Sequence, residues 1–275
     1  MTVNQTPILS AFADESSPSF DGQLDAVRRN NITHIELRDV DGTPVQKQSL
    51  ATIRAFKKQA DDAGVTFSAV GSGLGKCGLD DDVDEQVEMC RHLIDIAHIL
   101  ETPYIRMFSF HIPEDREPAD CRQQVIDQLG RLVDTVSGTG VTLAHENEKK
   151  IFGDIAERCL DLCETFSGTG AFKSIFDFAN YVQVGQRPLT DCWPLLKDHT
   201  EYFHIKDARL EDGRVVPPGQ GDGGLKEILG EAIAGGFNKF LTLEPHLWPR
   251  YFGGTSETRF DMAAQALSDL LKAMI

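Results

Sequence analysis

The sequence predicts a single-domain α/β protein with the (β/α)8 barrel fold, also called the TIM barrel. Eight short β-rich runs begin 26 to 38 residues apart along the chain. Between them, apolar residues recur at steps of three and four, which is the spacing of amphipathic helices. Eight strand–helix units in about 250 residues match the barrel. No linker or low-complexity stretch interrupts these units, so we expect one domain over residues 1–275.

The predicted strands follow one another along the chain, each with a helical segment behind it. Their first residues are Ile8, His34, Thr66, Tyr104, Thr142, Lys173, Tyr202 and Phe240. Residues 50–64 and 83–100 carry clear helical patterns. Several helical segments end in turns that contain Gly or Asn, in RRNNI, DDAGV, SGTGV, SGTGA and AGGFN. Because Gly and Asn tolerate the left-handed conformation that closes a helix, these turns are predicted helix ends.

An open, doubly wound parallel sheet is the main competing fold, since it also alternates strands with helices. Such a sheet seldom needs eight regular units. The glycine pattern GxGxxG, which marks the first turn of many doubly wound folds, is absent after the first predicted strand. The barrel is therefore the favoured interpretation.

Charge and composition argue against several classes of function. The chain is 41% hydrophobic and 25% charged, and its 43 acidic against 27 basic residues give a formal net charge of −16. Because proteins that bind nucleic acids use Lys and Arg to neutralise phosphates, neither nucleic acid nor an anionic membrane is an expected partner. The sequence has no secretion signal and no apolar run of roughly 18 residues, so a cytoplasmic protein is expected. Its six cysteines form no CxxC pair and are expected to be reduced.

The stretch VTLAHENE places ionisable residues at the end of the fifth predicted strand. In a barrel of parallel strands, alternate side chains point into the barrel and out towards the helices, and functional residues collect at the C-terminal strand ends. Val141 and Leu143 are bulky and apolar, so they belong under the helices, and His145 has the same outward direction. Glu146 is therefore predicted to point into the barrel mouth. Glu148 is expected in solvent or in the following loop.

The last three strands also end in ionisable residues. In KFLTLEPH the leucines should face the helices, which turns Glu244 inward. In EYFHIKD the same rule places His204 and Lys206 inside the barrel. In SIFDFAN apolar residues occupy both directions, so the pattern leaves the orientation of Asp177 open, although its position at the strand end is suitable.

Four successive strands thus end in candidate ligands for a divalent cation, namely Glu146, Asp177, His204 and Glu244. Carboxylates and imidazole are ligands of Mn²⁺, Mg²⁺, Co²⁺ and Zn²⁺. Three carboxylates that converge without a cation would repel one another, and at least one would take up a proton. A bound divalent metal ion removes this repulsion. Mn²⁺ is the first candidate, with Mg²⁺, Co²⁺ and Zn²⁺ as alternatives.

Five segments, HENE, DFAN, FHIKDA, PPGQGDGG and LTLEPH, resemble in their order and intervals the xylose-isomerase-like TIM barrels. This superfamily of sugar phosphate isomerases and epimerases also includes ketose 3-epimerases, inosose dehydratases and endonuclease IV, and the resemblance spans essentially the whole chain. It implies that Glu146, Asp177, His204 and Glu244 bind the metal. The endonuclease branch needs a histidine-rich three-metal site and binds DNA, which the charge of this chain argues against.

The resemblance also points to residues that would contact a substrate. Many epimerases of the superfamily carry Asp-x-x-His on strand six, and this chain has Asn180 at the histidine position, which can still form hydrogen bonds. An arginine shortly after the strand-seven histidine often contacts substrate, and Arg209 is the nearby candidate, although its spacing is not a clean match. Lys206 is expected either to stabilise an oxyanion or bind a phosphate, or to pair with Asp207 or a neighbouring glutamate.

Two more charged residues, Glu36 in HIELRD and Arg106 in YIRMFSF, have the inward direction. They would either contact substrate from the other half of the barrel or pair with each other as structural ions. The pairing is favoured, because buried charges in a barrel need partners.

Together these residues suggest a divalent-metal-dependent isomerase or epimerase that acts on a sugar, a sugar phosphate or a polyol. A 2-keto, 3-hydroxy sugar that chelated the metal would form an enediolate on proton removal, and the cation would stabilise it as a Lewis acid. Glu146 and Glu244 would take and return the proton. An inosose-type dehydratase on the same site is one alternative, and a sugar-binding barrel without turnover, suggested by Asn180, is the other. A homo-oligomer is left open.

Overall fold

The computed structural model describes residues 6–274, and within them eight parallel strands form a closed barrel. Each strand pairs with its neighbours in chain order and the last pairs with the first, so the predicted (β/α)8 fold is confirmed. The strands are β1 (Ile8–Ala11), β2 (His34–Leu37), β3 (Thr66–Leu74), β4 (Tyr104–Met107), β5 (Thr142–Glu146), β6 (Phe172–Asp177), β7 (Thr200–Ile205) and β8 (Phe240–Leu243). Six of these eight begin at the predicted residue. Strand β6 begins one residue earlier than predicted and β7 two residues earlier.

Helices connect the strands and cover the outside of the barrel. They are α1 (Phe20–Arg29), α2 (Leu50–Ala63), α3 (Val83–Leu100), α4 (Pro118–Val136), α5 (Ala156–Phe166), α6 (Phe178–Gln183), α7 (Trp193–Leu196), α8 (Leu225–Ala234), α9 (Pro249–Phe252) and α10 (Ser256–Lys272). Gly64 ends α2 in the left-handed conformation, with a φ of 69°, as its DDAGV turn predicted. In the described part of the chain, no helix has both the length and the apolar character needed to span a bilayer.

Apolar side chains form two layers that fix the direction of each strand residue. The inner layer consists of Ala69, Ala144, Ile175 and Tyr202. Leu143 lies in the outer layer between strands and helices, so Glu146 turns inward as predicted. Phe176 also lies in the outer layer, which directs its neighbour Asp177 into the barrel. The packing of Ile175 and Phe176 thus sets the orientation of Asp177, which the sequence pattern left open.

The carboxylate of Asp207 anchors the loop that follows β7. Its two oxygens accept hydrogen bonds of 2.8 to 3.0 Å from the backbone N–H groups of Ala208, Gly219, Gly221 and Gly223. A Cβ atom on Gly221 would lie 2.4 Å from Asp207 Oδ1 and 2.5 Å from the carbonyl oxygen of Ala208, so a side chain cannot fit there. The glycines of PPGQGDGG therefore let the backbone close around one buried carboxylate.

Replacing Asp207 by asparagine is expected to lower the free energy of unfolding by about 3 kcal/mol, because hydrogen bonds to a charged acceptor contribute about 1.5–3 kcal/mol each. Hydrogen exchange at Gly219, Gly221 and Gly223 should accelerate. Chemical denaturation and hydrogen exchange would be measured under mildly alkaline conditions. Burial raises the pKa of Asp207, and these conditions keep its carboxyl group ionised in the wild type. Asp222→Asn is the control, because Asp222 accepts one hydrogen bond, from the N–H of Leu210. Equal exchange rates in the Asp207 variant and the wild type would contradict the anchoring role.

Candidate metal centre

Four ionisable side chains from β5 to β8 converge at the C-terminal end of the barrel. One potential ligand atom of each of Glu146, Asp177, His204 and Glu244 lies within 4.8 Å of those of the other three. All four residues are at most 2% exposed. Glu146 and Asp177 end their strands, His204 lies near the end of β7, and Glu244 follows β8 directly. The closed barrel therefore brings the four predicted metal ligands to one place.

Glu146 is held by a guanidinium, an amide and an imidazole. Arg106 Nη1 donates to Glu146 Oε2 at 3.1 Å, and Asn180 Nδ2 donates to Oε1 at 3.3 Å. The Nδ1 atom of His204 lies 3.1 Å from the same Oε1. Burial acts to raise the pKa of Glu146, but the charges of His204 and Arg106 bring it down to about 2. Glu146 is therefore ionised at neutral pH.

His204 lies between two carboxylates. Its Nε2 atom is 3.2 Å from Glu36 Oε2, on the side away from the other ligands, and its ring meets Phe12 edge-on at 5.0 Å between centroids. Because Glu36 engages Nε2, the atom that faces the cluster is Nδ1. Burial acts to lower the pKa of His204, but Glu146 and Glu36 raise it to about 10.

Lys206 lies between two carboxylates of the cluster. Its Nζ atom is 2.9 Å from Asp177 Oδ2 and 2.7 Å from Glu244 Oε2. Burial raises the pKa of Asp177 to about 7. Burial also acts to raise the pKa of Glu244, but opposing positive charges, Lys206 first among them, hold it well below the usual range. This ammonium group thus partly relieves the repulsion between the carboxylates. The repulsion is therefore not by itself an argument for a metal.

The donor atoms themselves fit a divalent cation. Among residues 6–274, Asp177 Oδ2 and His204 Nδ1 are buried atoms without a hydrogen bond, although oppositely charged atoms lie near both. An octahedral ion with ligands at about 2.1 Å separates its donor atoms by roughly 3 to 4.2 Å, and the cluster is already within 4.8 Å. Three carboxylates and one imidazole suit Mn²⁺, Mg²⁺, Co²⁺ or Zn²⁺.

Of the five residues predicted to contact substrate, Lys206 and Asn180 lie against the cluster and Arg209 does not. Residues 207–208 and 215–216 pair as a short antiparallel ribbon, and the N–H of Arg209 donates to the carbonyl oxygen of Arg214 at 3.0 Å within it. The side chain of Arg209 is exposed and, in the described residues, contacts none of the four ligands. A substrate contact by Arg209 therefore stays a prediction, which no contact with the metal centre supports.

Glu36 and Arg106 are buried and point inward, but within residues 6–274 they do not pair with each other. Glu36 Oε2 faces His204, and its Oε1 accepts a hydrogen bond from the Tyr202 hydroxyl at 3.3 Å. Arg106 binds Glu146 and two backbone carbonyls of β3. The favoured pairing was wrong, because each charge has a closer partner across the barrel. Both residues support metal-ligand candidates.

The two neighbours of Glu146 in the sequence differ in position. His145 is fully buried on the outer side of β5, with Nε2 2.9 Å from Ser109 Oγ, and burial lowers its pKa to about 4. It is the packed histidine that the sequence predicted. Glu148 lies in the loop that follows β5, one of the two places expected for it. Its side chain is only 16% exposed and forms ion pairs with Lys76 at 3.0 Å and Lys149 at 3.2 Å.

Arg38 is a charged residue of the site that the sequence reasoning missed. Its guanidinium lies 2.9 Å from Glu244 Oε1, 2.8 Å from Asp14 Oδ2 and 3.2 Å from Glu15 Oε1. Glu15, Glu244 and His246 also bring donor atoms within 4.8 Å of one another. Because Arg38 already neutralises two of these carboxylates, we interpret this second group as an ion-pair network that supports Glu244.

Comparison with known proteins adds a family match over most of the chain. Residues 24–268 match the sequence model of the family described as xylose isomerase-like TIM barrel. A comparison with curated proteins found no match.

Solved structures agree with this chain in fold. The IOLI protein with a bound zinc atom has a TM-score of 0.78 at 16% identity, covering 98% of this chain and 99% of that one. The probable 3-DHS dehydratase AsbF from Bacillus anthracis has a TM-score of 0.75 at 19% identity, covering 96% and 98%. A D-tagatose 3-epimerase-like protein has a TM-score of 0.78 at 14% identity, covering 97% and 98%. At these identities the likeness establishes the fold alone.

Proposed function

Because this chain belongs to the family of xylose isomerase-like TIM barrels, we propose that it is a divalent-metal-dependent isomerase or epimerase of a small sugar or polyol. The observation that carries the proposal is the meeting of four buried potential ligands, from four consecutive strands, within 4.8 Å. Structures of similar fold described as zinc-bound or epimerase-like are consistent with it.

The metal would be held by Glu146, Asp177, His204 through Nδ1, and Glu244. When bound, a divalent cation supplies Lewis-acid stabilisation of negative charge on substrate oxygens. The cluster lies at the C-terminal end of the barrel, where the active sites of such barrels occur. Any of Mn²⁺, Mg²⁺, Co²⁺ and Zn²⁺ suits the donor set.

Glu146 and Glu244 would move the proton at a substrate carbon in this proposal. Both carboxylates are ionised, since their pKa values are held below the usual range. Glu146 lies on β5 and is supported by Arg106, whereas Glu244 lies beyond β8 and is supported by Arg38. Two strands separate β5 from β8 in the barrel, so the carboxylates can approach a bound carbon from two sides. One would accept the proton and the other would return it.

Lys206 can assist this reaction through its ammonium group. Its Nζ lies within 3 Å of Asp177 and Glu244. Burial acts to lower the pKa of Lys206, but the neighbouring carboxylates raise it well above the usual value. Lys206 is therefore a permanent cation beside the reacting atoms. It would donate a hydrogen bond to a substrate oxygen on which negative charge develops.

Titrating Mn²⁺ into metal-stripped protein is expected to give one bound ion per chain and a higher melting temperature. An ion present at 100 times its Kd adds about 2.7 kcal/mol to the free energy of unfolding. Calorimetric titration and thermal unfolding with Mn²⁺, Mg²⁺, Co²⁺ and Zn²⁺ would rank the metals. His204→Gln should lose this binding and His246→Gln, in the adjacent ion-pair network, should keep it. The reverse result would place the ion in the second group of donors.

Dehydration is the second candidate reaction on the same site. A deprotonated substrate that loses a β-hydroxyl gives a dehydrated product, and one structure of similar fold is described as a probable 3-DHS dehydratase. Nuclear magnetic resonance of products formed from a panel of ketoses and inososes separates epimers from dehydrated compounds. Ligand-dependent stabilisation without any product would instead indicate a sugar-binding barrel.

A further inference from the structure

A cavity of about 460 Å³ opens at the same end of the barrel as the metal centre. We call it the arginine pocket, and its principal lining residues are Gln183, Asp212, Arg214, Trp248, Arg250 and Tyr251. These residues belong to the segments that follow β6, β7 and β8, the strands that carry Asp177, His204 and Glu244. The pocket and the metal centre are therefore built by the same three connections.

Side-chain contacts join the pocket to the metal centre. Gln183 accepts a hydrogen bond from Lys149 Nζ at 2.5 Å, and Lys149 Nζ also lies 3.5 Å from Asn180 Oδ1. Asn180 in turn donates to Glu146. Three contacts thus lead from the lining of the pocket to a proposed catalytic carboxylate.

Two guanidinium groups of the arginine pocket pack on one aromatic ring. The Cζ atoms of Arg214 and Arg250 lie 4.9 Å and 4.4 Å from the centroid of Tyr251. Such stacking holds a guanidinium in place and leaves N–H groups of its edge available to an anion. In Arg250 one of these groups, Nη2, donates to the Tyr251 hydroxyl, and the others remain for a ligand. The pocket is therefore preorganised for a group that accepts several hydrogen bonds.

The positive charge of the pocket is only partly neutralised by protein groups. Arg214 has one carboxylate nearby, with Nε 3.7 Å from Asp212 Oδ2, and this buried Nε has no hydrogen-bond partner in the described part of the chain. Arg250 has no carboxylate within 4.0 Å among residues 6–274. A local excess of positive charge in a chain of net charge −16 favours an anionic ligand.

We propose that the arginine pocket binds an anionic group of the substrate, a phosphate or a carboxylate, while the reacting carbons lie at the metal centre. Both groups present oxygens that match the planar guanidinium. Trp248, which is 62% exposed at the pocket, supplies an apolar surface beside the bound group. This inference rests on the proposed function, since the anionic group belongs to the substrate of that reaction.

The test uses inorganic phosphate and malonate as probes of the full-length protein, after the metal has been stripped with a chelator and the chelator has been removed by gel filtration. Calorimetric titration is expected to show binding of at least one probe to the wild type. The double variant Arg214→Gln/Arg250→Gln should bind it at least tenfold more weakly. The double variant Arg28→Gln/Arg54→Gln removes the same charge from two exposed helical positions and should bind as the wild type does. Tighter binding of phosphate supports a phosphorylated substrate, and tighter binding of malonate supports a carboxylic acid.

No binding of either probe by the wild type, or equal weakening in both double variants, would overturn the proposal. The protein is free of metal in this measurement, so a failure of the proposed metal centre does not affect it. Conversely, the Arg214→Gln/Arg250→Gln variant should bind Mn²⁺ with wild-type affinity. A loss of Mn²⁺ binding in that variant would show that the arginines support the metal centre instead.

Discussion

Replacing Glu146 by glutamine is expected to abolish the exchange of a substrate C–H hydrogen with solvent deuterium, and Glu244→Gln should do the same. Glutamine keeps nearly the same size but cannot take up the proton, and general acid–base catalysis contributes about 10²–10⁴-fold to a rate. Because the two carboxylates are proposed to act in sequence, loss of either one should interrupt the reaction. The measurement is mass spectrometry of substrate recovered after incubation in deuterium oxide.

Glu148→Gln is the matched control for this experiment. Glu148 lies two residues from Glu146, but it pairs with Lys76 and Lys149 and is outside the group of four ligands. Its variant should exchange hydrogen at close to the wild-type rate. Because Glu146 and Glu244 are also proposed ligands, each variant is assayed at saturating metal and its metal content is measured. Full exchange by both metal-loaded glutamine variants would refute the two-glutamate mechanism.

The direction of most site residues could be predicted because a β-strand alternates its side chains between two faces. In β5 the outward leucine and histidine leave Glu146 inside, and the packing of Leu143 in the outer layer agrees. Asp177 could not be oriented in this way, since Ile175 and Phe176 are both apolar. Only the packing shows that Ile175 fills the inner layer and Phe176 the outer one.

The partners of inward charges could not be predicted from alternation. Alternation tells that Glu36 and Arg106 point inward, but several opposite charges share that interior. Which partner each charge meets depends on the stagger of the strands around the barrel. This stagger places Glu36 beside His204 and Arg106 beside Glu146. Arg38 could have been found, because it stands two residues after Glu36 and so has the same inward direction.

Short segments outside the regular strands were also beyond the sequence pattern. Arg209 was chosen for its distance from His204 along the chain, which says nothing about the ribbon formed by residues 207–208 and 215–216. That ribbon turns Arg209 into solvent and brings Arg214 to the arginine pocket. Turn geometry, rather than spacing along the chain, therefore sets the position of each arginine in this loop.

Replacing Glu36 by glutamine is expected to weaken metal binding by about 10- to 100-fold, the range seen when a partner of a metal-bound histidine is removed. Glu36 Oε2 lies 3.2 Å from Nε2 of His204 and is fully buried. Because the pKa of His204 is about 10, the cation has to displace a proton from the ring. The carboxylate of Glu36 keeps the remaining proton on Nε2, so the lone pair that binds the cation is that of Nδ1. The negative charge of Glu36 fixes this tautomer and raises the basicity of the ring, and glutamine lacks that charge. Calorimetric titration of metal-stripped protein with Mn²⁺ measures the change.

Tyr202→Phe separates this positioning role from simple packing. The Tyr202 hydroxyl donates to Glu36 Oε1 at 3.3 Å, so the variant removes a buried contact of Glu36 while the carboxylate and its approach to His204 remain. Its Mn²⁺ affinity should stay within about threefold of the wild type, because the carboxylate–histidine contact is the one that acts on the metal ligand. Circular dichroism and thermal unfolding establish that both variants are folded. Equal losses of affinity in Glu36→Gln and Tyr202→Phe would mean that general disruption of the barrel interior, and not the charge on Glu36, controls His204.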